Sequence, residues 1–210
     1  MFQRLLPVLA LLIAIMPASA LAQEAPELTP FFGFRFGGSV ESLSTGESFN
    51  IDGSGSYGLI FDYPLSPETT FEFVWSLQDT EIEDSGADGD GPSRFPLDIH
   101  YFHLGATYSP GQPRKQRGFV VITIGATHFN PEEGGFGSET RFSVAAGGGA
   151  KFKLNERLGL RIEGRAYLTF VDGSGAAFCT GGGAGGGCAF SFTGDAFVQG
   201  EINVGLSIAF

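Results

Sequence analysis

The sequence predicts an all-β fold, an eight-stranded antiparallel up-and-down transmembrane β-barrel, and three observations carry that prediction. The first is the stretch 196–210, AFVQGEINVGLSIAF. Side chains alternate along an extended strand, so Val198, Gly200, Ile202, Val204, Leu206, Ile208 and Phe210 share one face and Gln199, Glu201, Asn203, Gly205, Ser207 and Ala209 the other. One apolar face over about ten residues is what a tilted strand needs to cross a bilayer. The second observation is that the same alternation recurs in seven further segments. The third is that the connections between them alternate long and short. A chain that crosses a membrane back and forth puts all its long loops on one side, whereas a β-sandwich has no reason to sort them.

Met1 to Ala22 has Arg4 as its one charged side chain, an apolar run from Leu5 to Met16, then Pro17 and the small-residue ending Ala20-Leu21-Ala22. This is the layout of a secretory signal peptide, too short and wrongly flanked for a spanning helix. Cleavage is expected after Ala22, leaving 23–210 as the barrel domain. No Cys follows that site, so a lipoprotein anchor is not expected.

In order, Gln23 to Thr29 is a polar lead-in. The first strand spans Pro30 to Glu41, with Phe32, Phe34, Phe36 and Val40 against Gly33, Arg35, Gly37 and Ser39. Ser42 to Gly55 has loop composition. Tyr57, Leu59, Phe61 and Tyr63 form the outer face of the second strand, with Gly58, Ile60 and Asp62 inward, and Pro64 to Glu68 turns. In the third strand, Thr69 to Gln78, Phe71, Phe73, Trp75 and Leu77 oppose Thr70, Glu72, Val74, Ser76 and Gln78. Asp79 to Pro96 reads as a long acidic loop.

The fourth strand runs from about Leu97 to Tyr108, with Phe102, Leu104, Ala106 and Tyr108 outward, and Ser109 to Gly118 is a turn with a basic cluster, Arg114, Lys115 and Arg117. Phe119 to Phe129 is the fifth strand, with Val120, Ile122, Ile124 and Ala126 apolar. Asn130 to Glu139 is a loop. The sixth strand, Thr140 to Lys153, sets Phe142, Val144, Ala146, Ala150 and Phe152 against Arg141, Ser143, Gly147 and Lys151. After the turn Leu154 to Arg157, the seventh alternates Leu158, Leu160, Ile162, Ala166, Leu168 and Phe170 with Arg161, Glu163, Arg165, Tyr167 and Thr169. Val171 to Gly194 is a Gly-rich loop, and the eighth strand closes the chain.

Composition limits the partners. With a formal net charge of −11, nucleic acid is not an expected partner. Beyond the leader no apolar run approaches the ~18 residues of a membrane-spanning helix. The two cysteines, Cys179 and Cys188, are expected to form one disulfide in an oxidising compartment.

On these residues the chain resembles the small eight-stranded outer-membrane barrels, the family of the transmembrane domain of outer membrane protein A, outer membrane protein X and the opacity-type surface proteins. The resemblance rests on the last strand, the alternation and the loop sorting. It implies a place in the bacterial outer membrane and contact with outer-membrane lipid and lipopolysaccharide. It also implies that Phe210, Ile208 and Leu206 form the C-terminal signal read by the barrel-assembly machinery. The implied role is structural or surface-interacting, with an extracellular or envelope protein as possible partner. No periplasmic peptidoglycan-binding domain is expected after Phe210, in departure from the full-length outer membrane protein A arrangement.

The inward set is the candidate site: Arg35, Glu72, Arg141, Lys151, Arg161, Glu163, Arg165 and Glu201, with Gln199 and Asn203. About eight strands leave a lumen just wide enough for side chains to fill, and charges there must pair, since an isolated buried ion costs several kcal/mol. The reading is an ion-paired plug; the alternative is a narrow porin-like channel for small solutes. Glu163 and Glu201 invite an acid–base reading, but each has an arginine nearby. Lipid A-modifying barrel enzymes use a Ser/His/acid set on the lipid-facing wall. Here His100 and His103 face opposite sides of one strand and no Ser lies two residues after His128, so no enzyme and no cofactor are expected. Asp84, Asp88 and Asp90 form a weak calcium candidate that lacks the terminal Glu of an EF-hand loop. Aromatic girdles are expected from Phe31, Tyr63, Tyr108, Phe152 and Phe210 at one edge and Phe129, Phe170 and Phe197 at the other.

Overall fold

The computed structural model describes residues 25–42, 48–84, 93–111, 115–131, 137–171, 176–179, 188–192 and 196–210. The expected signal peptide, with cleavage expected after Ala22, lies outside them, as do Asp88, Asp90 and Arg114. Eight strands close into a barrel: β1 (Glu27–Phe36), β4 (Ser54–Pro64), β5 (Thr69–Asp84), β6 (Ser93–Tyr108), β7 (Gln116–Pro131), β8 (Glu139–Lys153), β9 (Leu158–Phe170) and β12 (Ala196–Ala209). Every neighbouring pair is antiparallel. Closure is made by β1, which pairs with β12 on one side and β4 on the other, so that Arg35 lies opposite Glu201 and opposite Ser54. The remaining strands, β2 (Ser39–Ser42), β3 (Ser48–Asn50), β10 (Ala176–Cys179) and β11 (Cys188–Phe192), form a second sheet in the order β10-β11-β2-β3.

The outer wall is apolar where the alternation requires it. Phe32, Leu104, Val120, Ile122, Ile124, Phe142 and Ile202 are all exposed, Ile122 at 68%. A soluble monomer rarely leaves so large a contiguous apolar surface in water, so this belt faces lipid. Among the described residues no helix is long and apolar enough to cross a membrane. Short turns at one end are fastened locally: Asn155 Oδ1 accepts from the amides of Arg157 and Leu158, both at 2.8 Å, and Ser66 Oγ from that of Thr69 at 3.0 Å.

Three expectations change. The first strand ends at Phe36 instead of continuing to Glu41, because Gly37 and Gly38 take φ of 85° and 101°, which turns the chain out of the barrel wall. Ser39–Ser42 then pairs with β11, a segment far away in sequence. The acidic stretch after Gln78 is largely strand: the β5–β6 ladder continues to Asp84 opposite Ser93 and carries this hairpin beyond the apolar belt. Finally, Phe31, Phe129 and Phe197 are not girdle residues. They are 6%, 0% and 2% exposed because they share strand parity with inward Arg35, Thr127 and Gln199.

Candidate functional site

The lumen is filled in tiers. Nearest the short turns, Lys151 Nζ donates to Glu27 Oε2 at 2.8 Å and to Asp62 Oδ2 at 2.7 Å. Asp62 Oδ2 also accepts from Arg161 Nη1 at 2.9 Å. Arg161 is the hub, fully buried, with Nε donating to Glu163 Oε2 at 2.8 Å and Nη2 to Glu72 Oε2 at 2.6 Å. Its guanidinium stands 4.5 Å from the Phe119 ring centroid. Arg165 completes the tier, donating from Nη2 to Glu72 Oε1 at 2.7 Å and from Nε to Glu163 Oε1 at 2.6 Å. Both oxygens of Glu72 and both of Glu163 are therefore held by arginine, and Thr107 adds a hydroxyl donor to Glu72 at 3.1 Å.

A second tier is built on Arg35. Its Nε donates to Glu201 Oε2 at 3.0 Å, Nη2 reaches Ser76 Oγ, and Ser76 Oγ in turn donates to Glu201 Oε2 at 3.0 Å. Asn203 Nδ2 donates to Glu201 Oε1 at 3.1 Å. Above the guanidinium lie the rings of Tyr101 and Tyr167, at 4.6 and 5.2 Å, a cation–π arrangement among buried side chains. Tyr101 Oη then donates to Gln199 Oε1 at 2.9 Å, and Gln199 Nε2 to Gln78 Oε1 at 3.0 Å. Beside these, the ring nitrogens of His103 are engaged by Thr123 Oγ1 at 3.0 Å and Ser143 Oγ at 2.8 Å.

The third tier is apolar. Leu97, Ile99, Phe129 and Phe197 are buried inside the wall, with Phe129 and Phe197 edge to face at 5.5 Å. Inward glycines make room for the large groups: a Cβ on Gly149 would stand 2.9 Å from Phe119 Cζ, and one on Gly125 2.8 Å from His103 Cδ2. Small inward positions beside large ones are how a narrow barrel accommodates its own filling.

Of the eight charged residues read as a lumen network, the structure places Lys151, Arg161, Arg165, Glu72 and Glu163 in one linked tier and Arg35 with Glu201 in the next. Arg141 stands apart at the long-loop rim, where it pairs with Glu139 at 3.1 Å, both partly exposed. Asp62, Glu27 and the two tyrosines complete the site. Asp62 was legible as an inward residue of its strand, whereas Glu27 gave no signal, lying in what reads as a polar lead-in.

On the outer wall, His100 and His128 face away from the lumen with ring centroids 6.1 Å apart. His100 Nδ1 accepts from Trp75 Nε1 at 3.4 Å, and His128 Nδ1 pairs with Thr140 Oγ1 at 2.8 Å. Among the described residues no group of three His, Cys, Asp or Glu side chains is placed to hold a metal ion. Of the calcium candidate, Asp84 ends β5 opposite Ser93, and its other members fall outside the described residues.

No protein-family model matches the chain, and no curated relative is found by sequence. Solved structures are matched by shape. The outer membrane protein OprG from Pseudomonas aeruginosa aligns with a TM-score of 0.61 at 13% identity, covering 90% of this chain and 97% of that one. This chain has the outer-membrane β-barrel fold. Neisserial surface protein A shares it at a TM-score of 0.57 and 9% identity, over 88% of this chain and 97% of that one. Outer membrane protein AlkL, solved in lipid bilayers, does so at 0.57 and 12%, over 93% of this chain and 95% of that one. At these identities the comparisons convey the fold.

Proposed function

We propose that this chain is an integral outer-membrane barrel that does not catalyse: its lumen is a permanent ion-paired plug, and its work lies in supporting the envelope and meeting partners outside the cell. The observation that carries this reading is Arg161, fully buried and bonded to Asp62, Glu72 and Glu163, with the apolar side chains of Leu97, Ile99, Phe129 and Phe197 packed into the lumen toward the long loops. A conducting pore needs water along its axis, and both the pairing and the apolar tier work against that. The long-loop sheet β10-β11-β2-β3 is the element that would meet an extracellular or envelope partner, while the belt meets outer-membrane lipid and the sugar-phosphate region of lipopolysaccharide. Leu206, exposed Phe210 and Ile208 between them would serve the barrel-assembly machinery during insertion.

Planar-bilayer conductance tests the reading. The refolded wild type is expected to be silent, and an Arg161→Ala/Arg165→Ala variant to leak, with folding of each verified by heat-modifiable gel mobility. Steady openings in the wild type would replace the plug with the narrow small-solute channel.

The disulfide belongs to the same proposal. Cys179 and Cys188 lie directly opposite each other in the β10–β11 register. Cross-strand partners have Cα atoms about 4.5–5.5 Å apart, inside the ~4.4–6.8 Å range that a disulfide spans. Such a bridge would stabilise the loop by roughly 2–3 kcal/mol. Maleimide labelling of the exported protein is expected to require prior reduction; labelling without reductant would rule the bridge out.

A further inference from the structure

Below the Lys151–Asp62 ion pair the lumen widens into a cavity of about 150 Å3 that opens at the short-turn end, the periplasmic mouth of the barrel. Four cationic side chains line it, Arg117, Lys151, Lys153 and Arg157, against two acidic ones, Glu27 and Glu156, an excess of two positive charges (4 − 2). That local sign is opposite to the −11 of the whole chain. The four are not equivalent. Lys151 is committed to Glu27 and Asp62 and forms the floor. Arg117 donates to the Ser109 carbonyl at 2.8 Å and to that of Pro67, so it ties two turns together. Lys153 and Arg157 are exposed, and among the described residues their side-chain charges have no partner.

Their backbones, by contrast, are held. The Lys153 amide donates to the Lys115 carbonyl at 2.8 Å. At Arg157 the amide is bonded to Asn155 Oδ1 at 2.8 Å, and the carbonyl accepts from the Ala209 amide at 2.8 Å. Two free cationic heads on pinned backbones, at the rim of a small concave site, lose less freedom on binding than heads on a loose loop would. The wall between them is polar: the buried side chains of Thr107, Ser109 and Ser207 line the same cavity. A guanidinium fork and an ammonium on the lining of a space this small suit a compact tetrahedral oxyanion. Carboxylates at Glu27 and Glu156 disfavour a large polyanion.

We propose that this vestibule is a phosphate-binding site in which Lys153 and Arg157 take the anion and Lys151 lies beneath it. The phosphate arrives free in solution or on the headgroup of a membrane phospholipid, and the chemistry that recognises it is the same. The site lies below the ion pairs of the plug, so its test reads independently of whether the lumen conducts.

The full-length refolded protein in maltoside micelles is titrated with inorganic phosphate at constant ionic strength, following the Arg157 Nε–H resonance by NMR and the heat by calorimetry. A parallel arm adds phosphatidylglycerol to the micelles in place of inorganic phosphate. A saturable response is expected in at least one arm. It should weaken at least tenfold in Lys153→Gln/Arg157→Gln and persist in Lys115→Gln, which removes an exposed cation outside the cavity. Saturation by inorganic phosphate assigns the site to a free anion, and saturation by the lipid alone assigns it to a headgroup. The proposal is overturned if neither probe saturates, if chloride at the same ionic strength reproduces the response, or if the double variant keeps it. Heat-modifiable mobility confirms that each variant is folded.

Discussion

Replacing Arg161 by alanine is expected to lower the unfolding free energy of the barrel by about 3–5 kcal/mol, the range for removing one member of a buried ion-pair network. The cost comes from what remains. Asp62, Glu72 and Glu163 would share Arg165 and Lys151 alone, inside a wall where a charge without a partner cannot recover its hydration. The contact of the guanidinium with Phe119 is lost as well. A charge-balanced variant separates pairing from packing. In Arg161→Met/Glu163→Gln the remaining partners are Arg165 with Glu72 and Lys151 with Asp62, and the long apolar side chain restores most of the volume. This double variant should recover more than half of the loss, because buried pairs exchanged for apolar groups of similar volume are often neutral. The protein has one tryptophan, Trp75, which makes denaturant unfolding in vesicles readable by fluorescence. A single-variant loss below about 1 kcal/mol would mean that water reaches and screens the network, as in exposed ion pairs.

The second large effect is on the opposite face of the same wall. Ile122→Arg is expected to destabilise the inserted barrel by about 2–4 kcal/mol, the cost of a cation on the lipid face near the bilayer midplane. Ile122 is 68% exposed between Val120 at 56% and Ile124 at 58%, so no packing is disturbed and the penalty is that of placing charge in hydrocarbon. In water the same substitution at so exposed a position would change stability by less than about 0.5 kcal/mol. Lys115→Glu, exposed in a short turn beyond the belt, serves as the comparison and should be close to neutral. Equal stabilities for the two variants in vesicles would contradict a lipid-facing belt.

The two effects fall on residues of opposite parity, and parity is what can be read from the chain alone. Alternation is a property of consecutive residues: once a segment is extended, Val120, Ile122 and Ile124 must share one side and Val121 and Thr123 the other. Strand count, the sorting of short and long connections and the inward placement of Arg35, Glu72, Arg161, Glu163, Arg165 and Glu201 all follow from that local rule. The same rule places Phe129 and Phe197 inside. Reading them as girdle aromatics gave residue type precedence over parity.

Which inward groups meet is a different kind of fact. Asp62 of β4 joins Arg161 of β9, and Glu27 of β1 joins Lys151 of β8, across the lumen and far apart in sequence. Those meetings depend on the stagger at which eight strands close on themselves, and no short stretch of chain encodes it. Arg141 has the same parity as the network residues yet ends at the rim with Glu139, because height along the barrel, set by that stagger, decides its company. The sheet made by β2 and β3 with β10 and β11 is likewise invisible locally, since its strands are short and its two hairpins join only where β11 pairs with β2, across most of the chain. The cavity at the short-turn end has the same origin: Lys153 ends β8, Arg157 sits in the turn after it, Thr107 and Ser207 come from strands of opposite halves, and closure of the barrel is what gathers them around one space. Sequence by itself determined which side of the wall each residue faces, because that depends on its immediate neighbours. Tertiary structure alone decided which residues meet, because that depends on how the strands close.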